Sequence, residues 1–190
     1  MDLLLGIFTA FGLSASAGLN AYIPLLVVGV IAHYTDWISL NSPWDLLANP
    51  WVLIVLGILV IIEMLADKIP VVNHINDVIQ TFVRPTAGAI AFAASAKVIT
   101  DVHPVLALIC GLLVAGSVHA VKAVAVRPAV TATTGGVGNV PVSVAEDIIS
   151  TIMSILAIVI PIMVAIMLVL LIVLFFLWRQ RRREKAEQRI

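Results

Sequence analysis

Residues 148–178 read IISTIMSILAIVIPIMVAIMLVLLIVLFFLW, and this run of 31 residues contains no charged side chain. A hydrocarbon core of about 30 Å is crossed by about 20 helical residues, so the run is long enough to span a membrane as one helix. The basic sequence RQRRREK follows directly at 179–185. Because the cytoplasmic flanks of membrane spans are rich in Lys and Arg, this stretch predicts a membrane-spanning helix with a cytoplasmic C-terminus.

The overall composition agrees with a membrane protein. Of the 190 residues, 62% are hydrophobic and 12% are charged, with a mean hydropathy of +1.14. So few charged residues do not cover the apolar surface of a soluble domain of this size. The tail at 179–190 holds six Lys or Arg, which leaves five Lys or Arg against nine Asp or Glu in the body. This balance does not predict nucleic-acid binding, and the single Cys110 excludes an intrachain disulfide.

Five apolar segments predict an all-α, polytopic integral membrane helical bundle of about five spans. They cover residues 3–33, 51–66, 85–100, 105–126 and 148–178. The third is rich in Gly, Ala and Ser, which suits a helix buried between other helices. We expect residues 1–178 to form a single transmembrane domain, 179–190 to form a basic cytoplasmic tail, and the first span to be retained, not cleaved as a signal peptide.

The basic residues of the body conflict with a simple five-span topology. With the tail inside the cell, Lys68, Arg84, Lys122 and Arg127 all fall on the outer side, although Lys and Arg normally favour cytoplasmic loops. A sixth crossing, made by splitting the last span at Pro161, is one solution, but that position has no polar turn. We prefer the alternative that these cations lie in the membrane-embedded interior.

This interpretation predicts irregular segments next to the cations. Residues 68–84 and 127–142 are expected to be re-entrant or broken, which is tolerated at membrane depth only where the backbone is buried in protein or lines a wet cavity. Pro85 and Pro128, each preceded by Arg, are expected to begin new segments.

Most ionisable residues of the body fall in two clusters. An isolated charge at membrane depth costs at least ~2.5–3.5 kcal/mol, so such charges tend to pair, and we expect the two clusters to meet inside the bundle. The first cluster consists of Glu63, Asp67, Lys68, His74, Asp77 and Arg84, and the second of His119, Lys122, Arg127, Glu146 and Asp147.

Simpler explanations exist for some of these residues. Glu146 and Asp147 are equally well explained as acids in the first helical turn, with Ser143 and Glu146 forming a capping box. Lys68 is explained as a cation that reaches the lipid headgroups.

Two further polar features are candidates for a binding site. Pro24 cannot donate a hydrogen bond to the carbonyl near Asn20, an arrangement found where a helix lines a site. The Thr134-Gly135-Gly136 stretch is either a tight turn or a loop whose backbone N–H groups bind an anion. The candidate substrate- or ion-binding residues are Asn20, Glu63, Asp67, Asp77, Arg84, His119, Lys122, Arg127, Thr134, Gly135, Gly136, Glu146 and Asp147.

Several short motifs in the chain resemble one uncharacterised membrane protein family, domain of unknown function 4126. They are GLNAYIPL at 18–25, EMLADKIP at 63–70, FVRP at 82–85, Lys122 with RPAVT at 127–131, TGG at 134–136 and SVAED at 143–147. Asn73 departs from the aspartate expected after Lys-Ile-Pro, which would make one clustered acid dispensable. The resemblance implies a membrane protein and implies no activity.

Two functions from different classes follow from these features. The first is a transporter or translocator of a small anionic solute or lipid headgroup, in which Arg84, Lys122 and Arg127 contact the anionic group, while Glu63 and Asp67 carry protons or balance charge. The alternative is a non-catalytic structural or accessory membrane protein whose buried charge pairs only hold the bundle together.

An intramembrane enzyme is a weaker interpretation. His119 has no nucleophile at a recognised spacing, and the sequence contains no His-Glu-x-x-His metal motif. We therefore expect no enzyme activity, no metal and no cofactor. The expected partners are membrane lipids, an anionic small solute and a second copy of the chain, since 190 residues provide few helices to enclose a path.

Overall fold

The computed structural model describes residues 2–95, 103–161, 169–170 and 173, and all regular secondary structure within them is helical. The all-α prediction is therefore confirmed for this part of the chain. The tail at 179–190 and most of 162–178 lie outside the described residues. The segments are α1 (Asp2–Leu19), α2 (Tyr22–Tyr34), a 3₁₀ helix (Trp44–Ala48), α3 (Pro50–Ala66), α4 (Pro70–Ser95), α5 (Pro104–Val121), a π-helical turn (Lys122–Val126), α6 (Arg127–Thr134) and α7 (Asn139–Val159).

Two of the described helices have the length and composition of membrane spans. One is the continuous helix Pro104–Thr134, which consists of α5, the π-helical turn and α6, and the other is α7. Three shorter apolar helices accompany them: Leu5–Leu19 within α1, together with α2 and α3. The apolar segments predicted from the sequence are therefore helical over most of their described residues, but the predicted span 3–33 is interrupted at Asn20 and Ala21, between α1 and α2.

α1 lies at the centre of the bundle, packed against α4, α5 and α7. Small side chains permit this close packing: Ala10, Ala17 and Ser16 on α1 are fully buried. α4 and α5 approach so closely that a Cβ atom placed on Gly111 would collide with the backbone oxygen of Gly88. The small-residue segment that begins at residue 85 is mostly buried, as predicted, within the described part of it that ends at residue 95.

The outer surface of the bundle is apolar. On α3, Ile54, Ile58, Ile61 and Leu65 are each more than half exposed, and they form a stripe with helical spacing. α5 and α7 also carry exposed Leu, Ile and Val side chains along their outer faces. This distribution reverses the usual pattern of a soluble protein, in which large apolar side chains are buried.

The structure corrects two predicted boundaries. Residues 68–84 are not re-entrant, because α4 runs without interruption from Pro70 to Ser95 and passes through Pro85. Proline removes one hydrogen bond from the helix, but the packing of α4 against α1 and α5 favours a continuous helix.

The predicted capping box is also wrong. α7 begins at Asn139, four residues before Ser143, so Ser143 and Glu146 lie inside the helix. The reason is the turn that precedes it: Gly135 and Gly136 adopt positive φ angles of 63° and 93°, which ends α6 and lets α7 start early. Residues 127–142 are therefore broken, as predicted, but they form two helices and a turn.

Candidate functional site

The two predicted charge clusters meet around Asp67, which lies at the end of α3. Its Oδ2 atom lies 3.4 Å from Arg84 Nη2, 3.6 Å from Lys122 Nζ and 3.3 Å from Arg127 Nη2. Its Oδ1 atom accepts a hydrogen bond of 2.7 Å from Asn76 Nδ2. One carboxylate therefore joins a cation of the first cluster to two cations of the second.

Two further carboxylates flank Asp67. Glu63 Oε1 accepts hydrogen bonds from Arg84 Nη2 at 2.9 Å and Arg84 Nε at 3.2 Å. Glu146 Oε2 lies 2.8 Å from Lys122 Nζ and 3.0 Å from Arg127 Nη2. We call these residues the ionic network: Glu63, Asp67, Arg84, Lys122, Arg127 and Glu146. All six are buried, and with every group ionised their three negative and three positive charges cancel.

The break between α1 and α2 faces the ionic network. The carbonyl of Leu19, at the end of α1, accepts a hydrogen bond of 3.2 Å from Lys122 Nζ. At the start of α2, the N–H of Ala21 donates to both carboxylate oxygens of Glu63, at 3.1 and 3.3 Å. A cation at a helix C-terminus and an anion at a helix N-terminus both match the helix dipole. The network thus satisfies backbone groups that the broken helix leaves without partners.

Asn20 lies in the break and is fully buried. Its Oδ1 accepts hydrogen bonds from the N–H groups of Tyr22 and Ile23, and its Nδ2 donates to Asp147 Oδ1 at 3.0 Å. The other oxygen of Asp147 lies 3.4 Å from Lys68 Nζ, and the Lys68 side chain is 28% exposed. The ammonium group of Lys68 is thus held by Asp147, and the headgroup explanation of Lys68 stays a prediction.

The π-helical turn places Lys122 and Arg127 on the same face. The N–H of Arg127 donates to the carbonyl of Lys122, five residues earlier. In a regular α-helix, two residues five apart point about 140° away from each other. The wider turn removes most of that divergence, and both side chains consequently reach Asp67 and Glu146.

His119 joins the ionic network through Arg84. Its Nδ1 lies 3.3 Å from Arg84 Nη1, and its Nε2 lies 3.2 Å from the hydroxyl of Thr81. Two contacts of the site were not predicted from the sequence, namely Asn76 to Asp67 and Thr81 to His119. Both residues lie on the face of α4 that carries Arg84. Thr81 lies three residues and Asn76 eight residues before Arg84, and this helical spacing would have identified the face, had α4 been predicted as one helix.

The remaining candidates do not join the network. Asp77 is partly buried and lies close enough to Arg127 to interact with its charge, but it forms no ion pair within the described part of the chain. Thr134 lies about 10 Å along the helix from Arg127, at ~1.5 Å per residue. Its hydroxyl accepts a hydrogen bond from the N–H of Gly138. Thr134, Gly135 and Gly136 thus form the turn between α6 and α7. The side chain of His74 lies outside the described part.

The family model described as Domain of unknown function (DUF4126) matches residues 7–181. The chain belongs to the DUF4126 family. This confirms the resemblance that the sequence motifs indicated, and the match includes the whole ionic network. The chain has no significant match among curated proteins or among solved structures.

Arg127 is the member of this DUF4126 network with unused hydrogen-bonding groups. Its Nη2 makes both of its ion pairs, whereas Nε and Nη1 are buried and have no partner in the described structure. On α7, the fully buried hydroxyl of Ser143, one helical turn before Glu146, also has no partner among the residues that the structure describes. Buried polar groups without partners are rare in folded proteins, so these atoms mark a place that can accept another polar group.

An apolar groove reaches the edge of the site. It has a volume of about 370 Å³, lies between α2, α3 and α7, and is lined by Ile23, Met64, Val144, Asp147 and Thr151 among others. Asp147 is the charged residue among the described residues that line it, and it connects the groove to Asn20 and Lys68. The charged site inside the bundle is therefore next to an apolar groove along the side of the bundle.

Proposed function

We propose that this protein is a multi-pass cell membrane protein that translocates a small anionic solute or lipid headgroup through the ionic network. The membrane assignment is supported by the arrangement of side chains: large apolar residues cover the outside, while the charged residues are buried. In water this distribution is unfavourable, whereas in lipid the apolar surface is solvated and the charges pair internally. The basic sequence at 179–185 supports a cytoplasmic C-terminus.

The observation that carries the transport proposal is the incomplete pairing of Arg127. A guanidinium group matches carboxylate and phosphate oxygens, and two nitrogens of Arg127 have no partner among the described residues, inside a network whose other charged groups are paired. An anion can therefore contact Arg127 before any ion pair of the network is broken. In this proposal Arg84 and Lys122 then exchange their carboxylate partners for the anion, and Glu63 and Asp67 balance the charge.

The broken helix supports the same proposal. Discontinuous helices whose ends face a charged site near mid-membrane recur in transporters, and π-helical turns are frequent at functional sites. Here both features contact the ionic network: Glu63 binds the start of α2, and Lys122 binds the end of α1. Movement of either side chain towards an anion would release one end of the broken helix. Binding and a change in helix position are thereby coupled.

A flux assay on the purified full-length protein in liposomes tests the proposal. The probes are inorganic phosphate, acetate and an anionic phospholipid carrying a headgroup label. We expect the protein to accelerate entry or transbilayer movement of one probe, and Arg127→Ala to remove most of that activity. Thr133→Ala is the matched control, because Thr133 is exposed on the same helix and its hydroxyl bonds only to backbone oxygens of α6.

Two results would contradict transport of these probes. One is wild-type flux equal to that of protein-free liposomes for all three, and the other is an Arg127→Ala variant as active as wild type. The variant's thermal unfolding midpoint is measured alongside the flux, so that loss of folding is not mistaken for loss of transport.

A structural or accessory role is the second candidate, and the pairing of every cation in the network favours it. In this case the charges only hold α3, α4, α7 and the helix that contains the π-helical turn and α6 together. Neutralising both Glu63 and Arg84 to glutamine should then restore stability lost in either single variant, since replacing a whole buried pair is often tolerated. A wild-type protein without flux, together with a stable double variant, would support this role over transport.

We also propose that the protein acts as a homodimer. The described helices enclose the ionic network but leave the groove between α2, α3 and α7 open along the side of the bundle. A second copy would close such a groove from the lipid. Mass measurement of the protein in detergent tests this proposal, and a monomer at all concentrations would contradict it.

A further inference from the structure

The protonation state of His119 can be deduced from its two neighbours. The hydroxyl of Thr81 donates its proton to the backbone oxygen of Asp77 at 2.8 Å, so towards His119 it acts as an acceptor. The Nε2 atom of His119 must therefore carry a proton. Arg84 has only donors, so the Nδ1 atom of His119, 3.3 Å from Arg84 Nη1, must carry a lone pair. The contacts define a neutral imidazole in one tautomer.

We propose that His119 is a proton-binding site that couples proton uptake to the ionic network. A second proton would bind at Nδ1, where it would point directly at an N–H group of Arg84. The contact between His119 and Arg84 would then join two positively charged donors, where it now joins a donor and an acceptor. The contact between His119 and Arg84 would break, and Arg84 would shift towards Glu63 and Asp67 or leave the network.

Among the described residues, no acid that could compensate a second proton is in direct contact with His119. From α4 it faces the cation Arg84, from the π-helical turn Lys122 lies nearby, and Asp67 at the end of α3 is already shared by three cations. α1, the other helix packed closely against α5, has no ionisable residue between positions 3 and 19. An added positive charge on this ring is therefore felt mainly by Arg84.

Proton binding at His119 would change the contacts of the ionic network. Arg84 holds Glu63, and Glu63 holds the N–H of Ala21 at the start of α2. Protonation of His119 can thus be transmitted through two buried contacts to the broken helix. The coupling of protons to transport rests on the function proposed above, whereas the proton site itself does not.

The tautomer is tested first, on full-length protein labelled with ¹⁵N-histidine in detergent. Ring nitrogen shifts distinguish the two neutral tautomers from the charged ring. At about pH 8 we expect the His119 signal, assigned by its loss in His119→Asn, to show a proton on Nε2 and none on Nδ1. A proton on Nδ1 at this pH would overturn the proposal, whether the ring is neutral or charged. If His119→Asn does not fold, variants of the other three histidines assign the signal by elimination.

Acid dependence is tested second. The thermal midpoint is measured between about pH 8 and about pH 5, which brackets the ordinary histidine pKa of about 6.5. Wild type should lose stability on acidification, and His119→Asn should lose much less, because the asparagine oxygen still faces Arg84 and takes up no proton. His103→Asn is the control, since His103 caps α5 and asparagine also caps helices well. It should behave as wild type.

Equal acid sensitivity of His119→Asn and wild type would refute the coupling of His119 to the network. The predicted tautomer and acid response in a protein without flux for any probe would retain the proton site and count against transport. The two proposals can therefore fail separately.

Discussion

Arg84 Nη2 lies 2.9 Å from Glu63 Oε1, and neither side chain is more than 1% exposed. Such a pair has lost its hydration completely, so its stability depends on the presence of both partners. Arg84 also contacts Asp67 and His119, and Glu63 also holds the N–H of Ala21. This contact therefore links α3 and α4 to His119 and to the start of α2, and the proposed mechanism depends on it.

Replacing Arg84 by alanine should destabilise the fold strongly. It leaves the Glu63 carboxylate buried without its cation, and removing one partner of a buried pair costs about 3–5 kcal/mol. Thermal unfolding in detergent measures the effect. Asp45→Asn is the control, because Asp45 is exposed on the 3₁₀ helix and such changes usually stay within about 0.5 kcal/mol. Similar midpoints for the two variants would show that the pair does not hold the bundle.

Asn20→Ala should cost more than Asn49→Ala. Both residues cap a helix, since Asn49 Oδ1 accepts a hydrogen bond from the N–H of Trp51 at 2.9 Å. Loss of a cap costs about 0.5–2 kcal/mol. Asn20 additionally donates to the buried Asp147, so its loss adds about 1–3 kcal/mol for a partner left unsatisfied. Equal unfolding midpoints would mean that Asn20 acts only as a cap.

A deletion and an insertion in the π-helical turn should have opposite consequences. Deleting Ala123 makes Lys122 and Arg127 four apart, which keeps them on one face of a regular α-helix. Inserting an alanine after Ala123 moves them six apart and rotates Arg127 by about a further 100°. We expect the deletion to retain a folded protein and the insertion to lose most of it, as measured by detergent-soluble yield and thermal midpoint. A deletion as damaging as the insertion would contradict this account of the turn.

Gly111→Ala should destabilise the contact between α4 and α5. The added Cβ would lie 2.6 Å from Phe92 Cβ and would also collide with the backbone of Gly88. Overpacking of this kind costs about 1–3 kcal/mol. Gly57→Ala is the matched control, because a Cβ there meets nothing within 4 Å and alanine favours helix by up to about 1 kcal/mol. A Gly111→Ala variant as stable as Gly57→Ala would show that the two helices separate easily.

Periodicity and composition predicted the parts of the fold that depend on local sequence. Long runs of Leu, Ile and Val were predicted as helices because a helix satisfies its backbone hydrogen bonds within the segment, whether its side chains face lipid or other helices. The break at Asn20 within the predicted span 3–33 was not predicted, because it depends on contacts of this segment with Glu63 and Asp147. Pro85 gave the wrong boundary, because contacts of α4 with two neighbouring helices outweigh the one hydrogen bond that proline removes.

The sequence by itself determined the helical class, the family and the expectation that buried charges of both halves pair, because each follows from residue types and the cost of an unpaired charge. Only the tertiary structure decided the partners. Asp67 contacts Arg127, 60 residues away, and Lys68 contacts Asp147, 79 residues away. The rotation of one helix against another sets such contacts. A single extra residue in the π-helical turn changes that rotation by about 100°. The types of the residues in the turn do not reveal this change.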